Sequence, residues 1–364
     1  MKYQYHEAKY RLERYPRSQN NSLRPWSAAE EYMLQHLDGE DLDVDKLLIC
    51  NDRFGFLNCH LNEFAPWSMV NNKSQLKAQQ LNLKKNGLEV KEDRFVNPLY
   101  HLPSEMSLGV MLVPKSLDLF RLYLYQISQA LSDEGEVLCS FMTRNFSPQL
   151  LSIANEFFDE VDQSRAWKKS RLMILSKKKS FQEIEILNTL KLGESKSLKQ
   201  YFGVFSGKNI DYASQFLMEH LEVQAGNQRV LDLASGNGVL ATCVQQINGD
   251  AEIHLLDDSW LAVESSKMNM DQMNTHFHWD DGLDEFSSEY FDLVISNPPF
   301  HFEYEIDVSV ALNLFEQVSR CLKPGGHFQI VANRHLNYKV HLDPIFSHVD
   351  ILAENEKFVV YDCW

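Results

Sequence analysis

Little in this 364-residue chain points toward disulfides, zinc fingers or membranes. Its six cysteines (Cys50, Cys59, Cys139, Cys243, Cys321 and Cys363) include no C-x-x-C pair and no His-rich cluster beside them. A disulfide framework is therefore excluded, no metal ligand set is expected, and the thiols should be reduced and packed. No apolar run approaches the roughly 20 residues that span a bilayer. The opening stretch MKYQYHEAKYRLERYPRS lacks the apolar segment of a secretory leader. With a mean hydropathy of −0.35, the expectation is a soluble, cytoplasmic, monomeric protein. A composition of 44% hydrophobic and 24% charged residues is that of a globular chain, which excludes disorder and collagen-like repeats.

Net charge is −16, which at first argues against a nucleic-acid partner. Its distribution changes that reading. From Val230 to Trp364 there are 22 acidic residues against 6 basic ones, while the first 229 residues hold 29 of each sign. Basic runs survive upstream. Residues 1–27 carry Lys2, Lys9, Arg11, Arg14, Arg17 and Arg24 against Glu7 and Glu13, and 165–179 carry seven Lys and Arg with no acid. A polyanion could dock there and avoid the acidic portion.

The C-terminal half alternates strand and helix patterns. Strands are predicted at 229–233, 252–257, 291–296, 327–332 and 358–361, with helices over 239–247, 259–270 and 309–322. That order predicts an α/β fold with a parallel, doubly wound sheet. The N-terminal half repeats part of it: a strand over 108–113 meets Pro114, a helix covers 117–131, Gly135 closes a turn, and a strand follows at 136–140. The same succession runs from Phe291 to Ala332, which suggests an internal duplication. The expected division is a first domain over 1–180, a polar linker over 181–198, and a second domain over 199–364.

Three features of the second domain carry chemistry. The turn Asp232-Leu-Ala-Ser-Gly-Asn-Gly238 joins a strand to a helix, where Gly236 and Gly238 let backbone approach a ligand. The next strand ends at Asp257, a carboxylate able to accept from both hydroxyls of a ribose. After a third strand comes Asn297-Pro298-Pro299-Phe300-His301. Proline fixes φ and donates no hydrogen bond. The Asn297 oxygen and the Pro298 carbonyl can therefore converge on an –NH2 group while Phe300 stacks a flat ring.

Together these strings resemble the S-adenosylmethionine-dependent N-methyltransferases that modify exocyclic amines. With Val204-Phe-Ser206 and Val331-Ala-Asn-Arg-His335, the chain is similar to the ribosomal RNA guanine-N2 methyltransferases of the RsmC and RlmG type. Asn51-Asp-Arg-Phe-Gly55, Pro66-Trp-Ser68, Val113-Pro-Lys115 and Ala166-Trp-Lys-Lys-Ser-Arg-Leu172 resemble the RlmG branch, which acts on 23S rRNA. The resemblance implies two tandem Rossmann-like methyltransferase domains, the N-terminal copy without a cofactor site. It also implies S-adenosyl-L-methionine as cofactor. Asp232, Gly236 and Gly238 would shape the methionine pocket, Phe205 and Ser206 would close it, Asp257 would hold the ribose, and Asp281 would meet the adenine amine. Asn297, Pro298 and Phe300 would carry catalysis. Ala234 stands where the family has glycine, which disfavours a positive φ.

Four other readings remain open on the residues alone: a 16S enzyme, a glutamine-N5 protein methyltransferase, a nicotinamide dehydrogenase, and a non-catalytic rRNA-binding protein. The first domain reads Val-Pro-Lys at its prolyl loop and has no G-x-G turn, so it is expected to bind RNA and not cofactor.

Overall fold

A computed structural model describes residues 1–6, 9–17, 23–180, 183–193, 196–226, 228–298 and 308–364, with backbone alone at 308–311. The chain divides into two compact units, Met1–Ile186 and Leu187–Trp364.

In the first unit, strands β1 (Leu47–Cys50), β2 (Trp67–Met69), β3 (Phe95–Val96), β4 (Met106–Leu112), β5 (Leu131–Met142), β6 (Phe158–Gln163) and β7 (Ser170–Lys178) form one sheet. Their order is β3-β2-β1-β4-β5-β7-β6. Helices α1 (Ala28–His36), α2 (Phe56–Leu61), α3 (Lys73–Lys85), α4 (Leu117–Ala130) and α5 (Pro148–Phe157) cover it. Leu48 and Cys50 join one apolar cluster, whereas Leu47 and Ile49 join another, so β1 is buried on both faces.

The second unit opens with a hairpin, β8 (Leu187–Leu192) and β9 (Lys196–Tyr201). Of the linker expected over 181–198, residues 187–192 and 196–198 are strand. One fully buried leucine in each arm, Leu190 and Leu198, anchors a pair that pattern reading takes for a tether. Then follow β10 (Arg229–Leu233), β11 (Glu252–Asp257), β12 (Thr275–Trp279), β13 (Phe291–Ser296), β14 (Leu322–Asn333), β15 (Val349–Glu354) and β16 (Phe358–Cys363). Helices α6 (Tyr212–His220), α7 (Val239–Ile247), α8 (Trp260–Asn269), α9 (Val308–Cys321) and α10 (Lys339–Leu342) lie between them.

The strand order here is β12-β11-β10-β13-β14-β16-β15, position for position the order of the first sheet. Each sheet also carries a register shift at the same place, Met106/Leu108 and Phe291/Leu293. The glycine beside each shift is forced. A Cβ on Gly135 would sit 2.9 Å from the Met106 carbonyl oxygen, and one on Gly326 3.0 Å from that of Phe291. The chain is a duplicated α/β unit.

The sequence pattern predicts a wholly parallel sheet, and neither sheet is one. β7 and β16 run antiparallel to both neighbours. Only residues 355–357 join β15 to β16, too few for the helical crossover that a parallel pair requires. In this sheet β12 and β15 are the strands that pattern reading misses.

Candidate active site

In the second sheet the connections reverse direction at β10, and ligands bind α/β sheets beyond the strand ends at such a switch point. Those expected site residues that the structure describes lie at these strand ends and the loops beyond them. Beyond β10, Ala234, Gly236 and Gly238 adopt φ of 59°, 55° and 80°. The two glycines serve different ends. A Cβ on Gly238 would come within 3.1 Å of Leu255 and 3.2 Å of Ser266, so this position lets α7 pack closely. A Cβ on Gly236 would meet nothing within 4 Å, which leaves open space for a ligand. Ala234 does hold the left-handed conformation, at a cost of about 1–2 kcal/mol.

Asp232 is fully buried. Its Oδ2 accepts from the Ala241 amide at 3.0 Å, in the first turn of α7, and its Oδ1 has no hydrogen-bond partner. Burial pushes its pKa up to about 8, opposed by the Ala241 amide and reinforced by the charge of Asp257. Asp257, at the end of β11, accepts from the amides of Gly236 and Ser259, each at 2.8 Å. Burial raises it to about 6 against the pull of those two amides, with Asp258 adding to the rise. Asp281 follows β12 at the same edge, since the Asp280 amide donates to the Asp257 carbonyl. Trp279 is pinned there by its indole N–H on the Asp258 carbonyl at 2.7 Å.

The loop bearing Phe205 and Ser206 is tied to the glycine turn by a residue the sequence did not flag. Buried Gln200 donates to the carbonyls of Val204 and Phe205 and accepts from Asn237 Nδ2 at 2.7 Å. Phe205 is 72% exposed, a rim position open to a ring. The Ser206 hydroxyl is engaged within its own loop, donating to the Asn209 carbonyl at 2.5 Å.

Asn297 stands just beyond β13. Its Nδ2 donates to Ser214 Oγ at 2.8 Å and to Asp211 Oδ2 at 3.1 Å. Asp211 also caps α6 by accepting from the amides of Ala213 and Ser214. Both donor hydrogens of the amide are therefore occupied, and Oδ1 is the end left to accept from a substrate. The sequence shows a helix-capping pattern at Asp211, but nothing local links it to a residue 86 positions downstream. Pro298 is buried; Phe300, with Pro299 and His301, lies outside the described residues.

Residues 1–180 match the family description "RLMG N-terminal domain", and 196–362 match "Methyltransferase small domain". The chain is 30% identical over 361 residues to the ribosomal RNA large subunit methyltransferase G of Vibrio vulnificus (strain YJ016), covering 96% of this chain and 95% of that one. It is 31% identical over 363 residues to the protein of that name from Yersinia pseudotuberculosis (strain IP 31758), covering 96% and 90%. The chain belongs to the RlmG family. A Thermus thermophilus 16S rRNA N2 G1207 methyltransferase (RsmC), solved with AdoMet and guanosine, shares the fold at a TM-score of 0.76 and 20% identity, covering 95% of this chain and 94% of that one.

As an RlmG-family methyltransferase the protein draws on S-adenosyl-L-methionine, and its second unit fits that molecule. Open space at Gly236, the unpartnered Oδ1 of Asp232 and the strand-end carboxylate of Asp257 suit a methylsulfonium amino acid joined to a ribose. Equivalent positions of the first unit differ. The parallel registers place Ile49 at Asp232, Val70 at Asp257 and Leu112, not Val113, at Asn297.

Proposed function

We propose that this RlmG-family protein methylates the exocyclic N2 amine of a guanosine in 23S ribosomal RNA, using S-adenosyl-L-methionine. The observation that supports this most is the clamped amide of Asn297, whose carbonyl end faces away from Asp211 and Ser214. A guanine N2 lone pair is conjugated into its ring and nucleophilically weak. Accepting its two N–H groups at Asn297 Oδ1 and the Pro298 carbonyl favours a pyramidal nitrogen with the lone pair free. The cofactor supplies a methyl group already activated by cationic sulfur. As the N–C bond forms the S–C bond breaks, and the nitrogen proton passes to water. Positioning can contribute roughly 7–11 kcal/mol to such a transfer. Asp257 accepts from the ribose hydroxyls, Asp281 from the adenine amine, and Gly236 leaves room for the donor. Phe300 stacks the base once it leaves the helix.

The first unit, in this reading, holds no cofactor and docks RNA. Apolar Ile49, Val70 and Leu112 at the three site positions support the first part. Its basic run divides in two. Lys177, Lys178 and Lys179 are paired with Glu160, Asp133 and Asp159. Lys168 and Lys169 form the two-residue tip of a hairpin between Trp167 and Ser170, both at positive φ. Asn-Gly is the relaxed choice for that turn; Lys168 is already paired with buried Glu31, so the strain that RNA phosphates would justify is that held at Lys169.

Incubation with labelled cofactor and undermodified 23S RNA should yield N2-methylguanosine on digestion. N6-methyladenosine, methylated protein, or product from 16S RNA alone would refute the proposal.

A further inference from the structure

At the far end of β11 from Asp257 lies a cluster that methyl transfer does not use. Glu252 opens the strand and His254 stands two residues on, on the same face. His276 of β12 is paired directly with His254, and the two rings stack with centroids 4.6 Å apart. Glu252 Oε1 lies 3.4 Å from His254 Nε2 and 3.1 Å from His276 Nε2. All three ligand atoms fall within 4.8 Å of one another. An ion held tetrahedrally at about 2.0–2.1 Å spaces its ligands by roughly 3.3–3.4 Å. The two measured separations are close to that edge length.

A second observation points the same way. The His254 side chain is only 5% exposed, and its Nε2 has no hydrogen-bond partner. Its Nδ1, by contrast, is engaged by His278 Nε2 at 3.0 Å. One ring nitrogen oriented by a neighbour, with the other buried and aimed at a carboxylate, is the arrangement of a metal-ligating imidazole. Arg229 holds Glu252 through the other carboxylate oxygen at 3.1 Å, which fixes Oε1 in place.

We propose that Glu252, His254 and His276 form a binding site for a divalent transition-metal ion of the zinc type. Two imidazoles and one carboxylate suit zinc, copper or nickel and not magnesium or calcium. Half-exposed His276 leaves a coordination position open to water. Because β12 is the sheet edge, held by β11 alone, the bound ion staples the strand whose end carries Trp279 and Asp281.

The test uses the full-length chain, stripped of metal with a chelator. Zinc is titrated by calorimetry and cobalt by its visible absorption. One equivalent of zinc should bind in the micromolar range or tighter, raise the melting temperature, and resist competition by magnesium. His276→Ala and Glu252→Gln should each weaken zinc at least about tenfold, with cofactor affinity unchanged. No zinc uptake by the wild-type chain overturns the proposal. So does undiminished uptake by both variants, which would put the ion on other ligands.

Discussion

The backbone amide of Gly236 donates to Oδ2 of Asp257 across 2.8 Å. The open turn and the carboxylate at the end of the neighbouring strand are therefore one unit, and a change at either is felt by both. Asp257 titrates near pH 6 because burial disfavours its charge. Only the ionised form keeps lone pairs for both ribose hydroxyls after accepting two backbone amides. Cofactor affinity should fall as pH drops through about 6. A carboxyl whose folded pKa is raised destabilises the fold progressively as pH climbs from its ordinary value of 3.8 to about 6. Asp257→Asn should therefore bind cofactor poorly at every pH, its single carbonyl oxygen being unable to serve the Gly236 and Ser259 amides and the ribose together. Calorimetric affinity of both proteins measured from pH 5 to 8 checks this, and a flat wild-type profile would contradict the assignment.

The Asp211–Ser214 grip on Asn297 makes a prediction about rate. Ser214→Ala and Asp211→Ser leave a helix-capping side chain at position 211 but loosen the amide. Each should lower kcat by about tenfold, equivalent to ~1.4 kcal/mol, with cofactor affinity within about twofold of wild type. Equal losses in cofactor binding and turnover would mean that the contact is merely structural.

Gly236 and Gly238 should separate cleanly. Gly236→Ala meets no neighbour and costs only the strain of its φ, about 1–2 kcal/mol, while weakening cofactor binding. Gly238→Ala adds a clash with Leu255 and Ser266, roughly another 1–3 kcal/mol. Chemical denaturation of both variants alongside cofactor titration measures the contrast. The reverse ranking of stability would mean that the turn is built differently.

At the hairpin tip, Lys169→Gly relaxes a strained residue and leaves the Lys168–Glu31 pair intact. The variant should be no less stable than wild type. Its RNA affinity should fall, and the slope of log K against log salt should shrink by about 0.7–0.9 for each phosphate the tip no longer neutralises. Filter binding over a salt series measures it; an unchanged slope would remove the tip from the RNA path.

Much was legible without coordinates. Period-2 and period-3.6 patterns located β10, α7, β11, α8 and β13 within a residue or two, because burial on both faces of a sheet leaves continuous apolar runs. The strand–Gly-turn–helix order marked the turn at Gly236, and Asn297-Pro298 marked the corner proposed to hold the amine. β12 was missed because His276 and His278 alternate with Phe277 and Trp279 in a run of only five residues, and β8–β9 because only one leucine per arm is fully buried, too weak a signal.

The sequence by itself determined what depends on neighbours along the chain: which segments are strands or helices, where glycine must take a positive φ, and which family motif is present. Tertiary structure alone decided that Gln200 meets Asn237, that Asp211 and Ser214 orient Asn297, and that Glu252, His254 and His276 converge. Those contacts join residues far apart in sequence. Their partners are set by strand order and register, which arise from how whole elements pack and leave no local pattern to read.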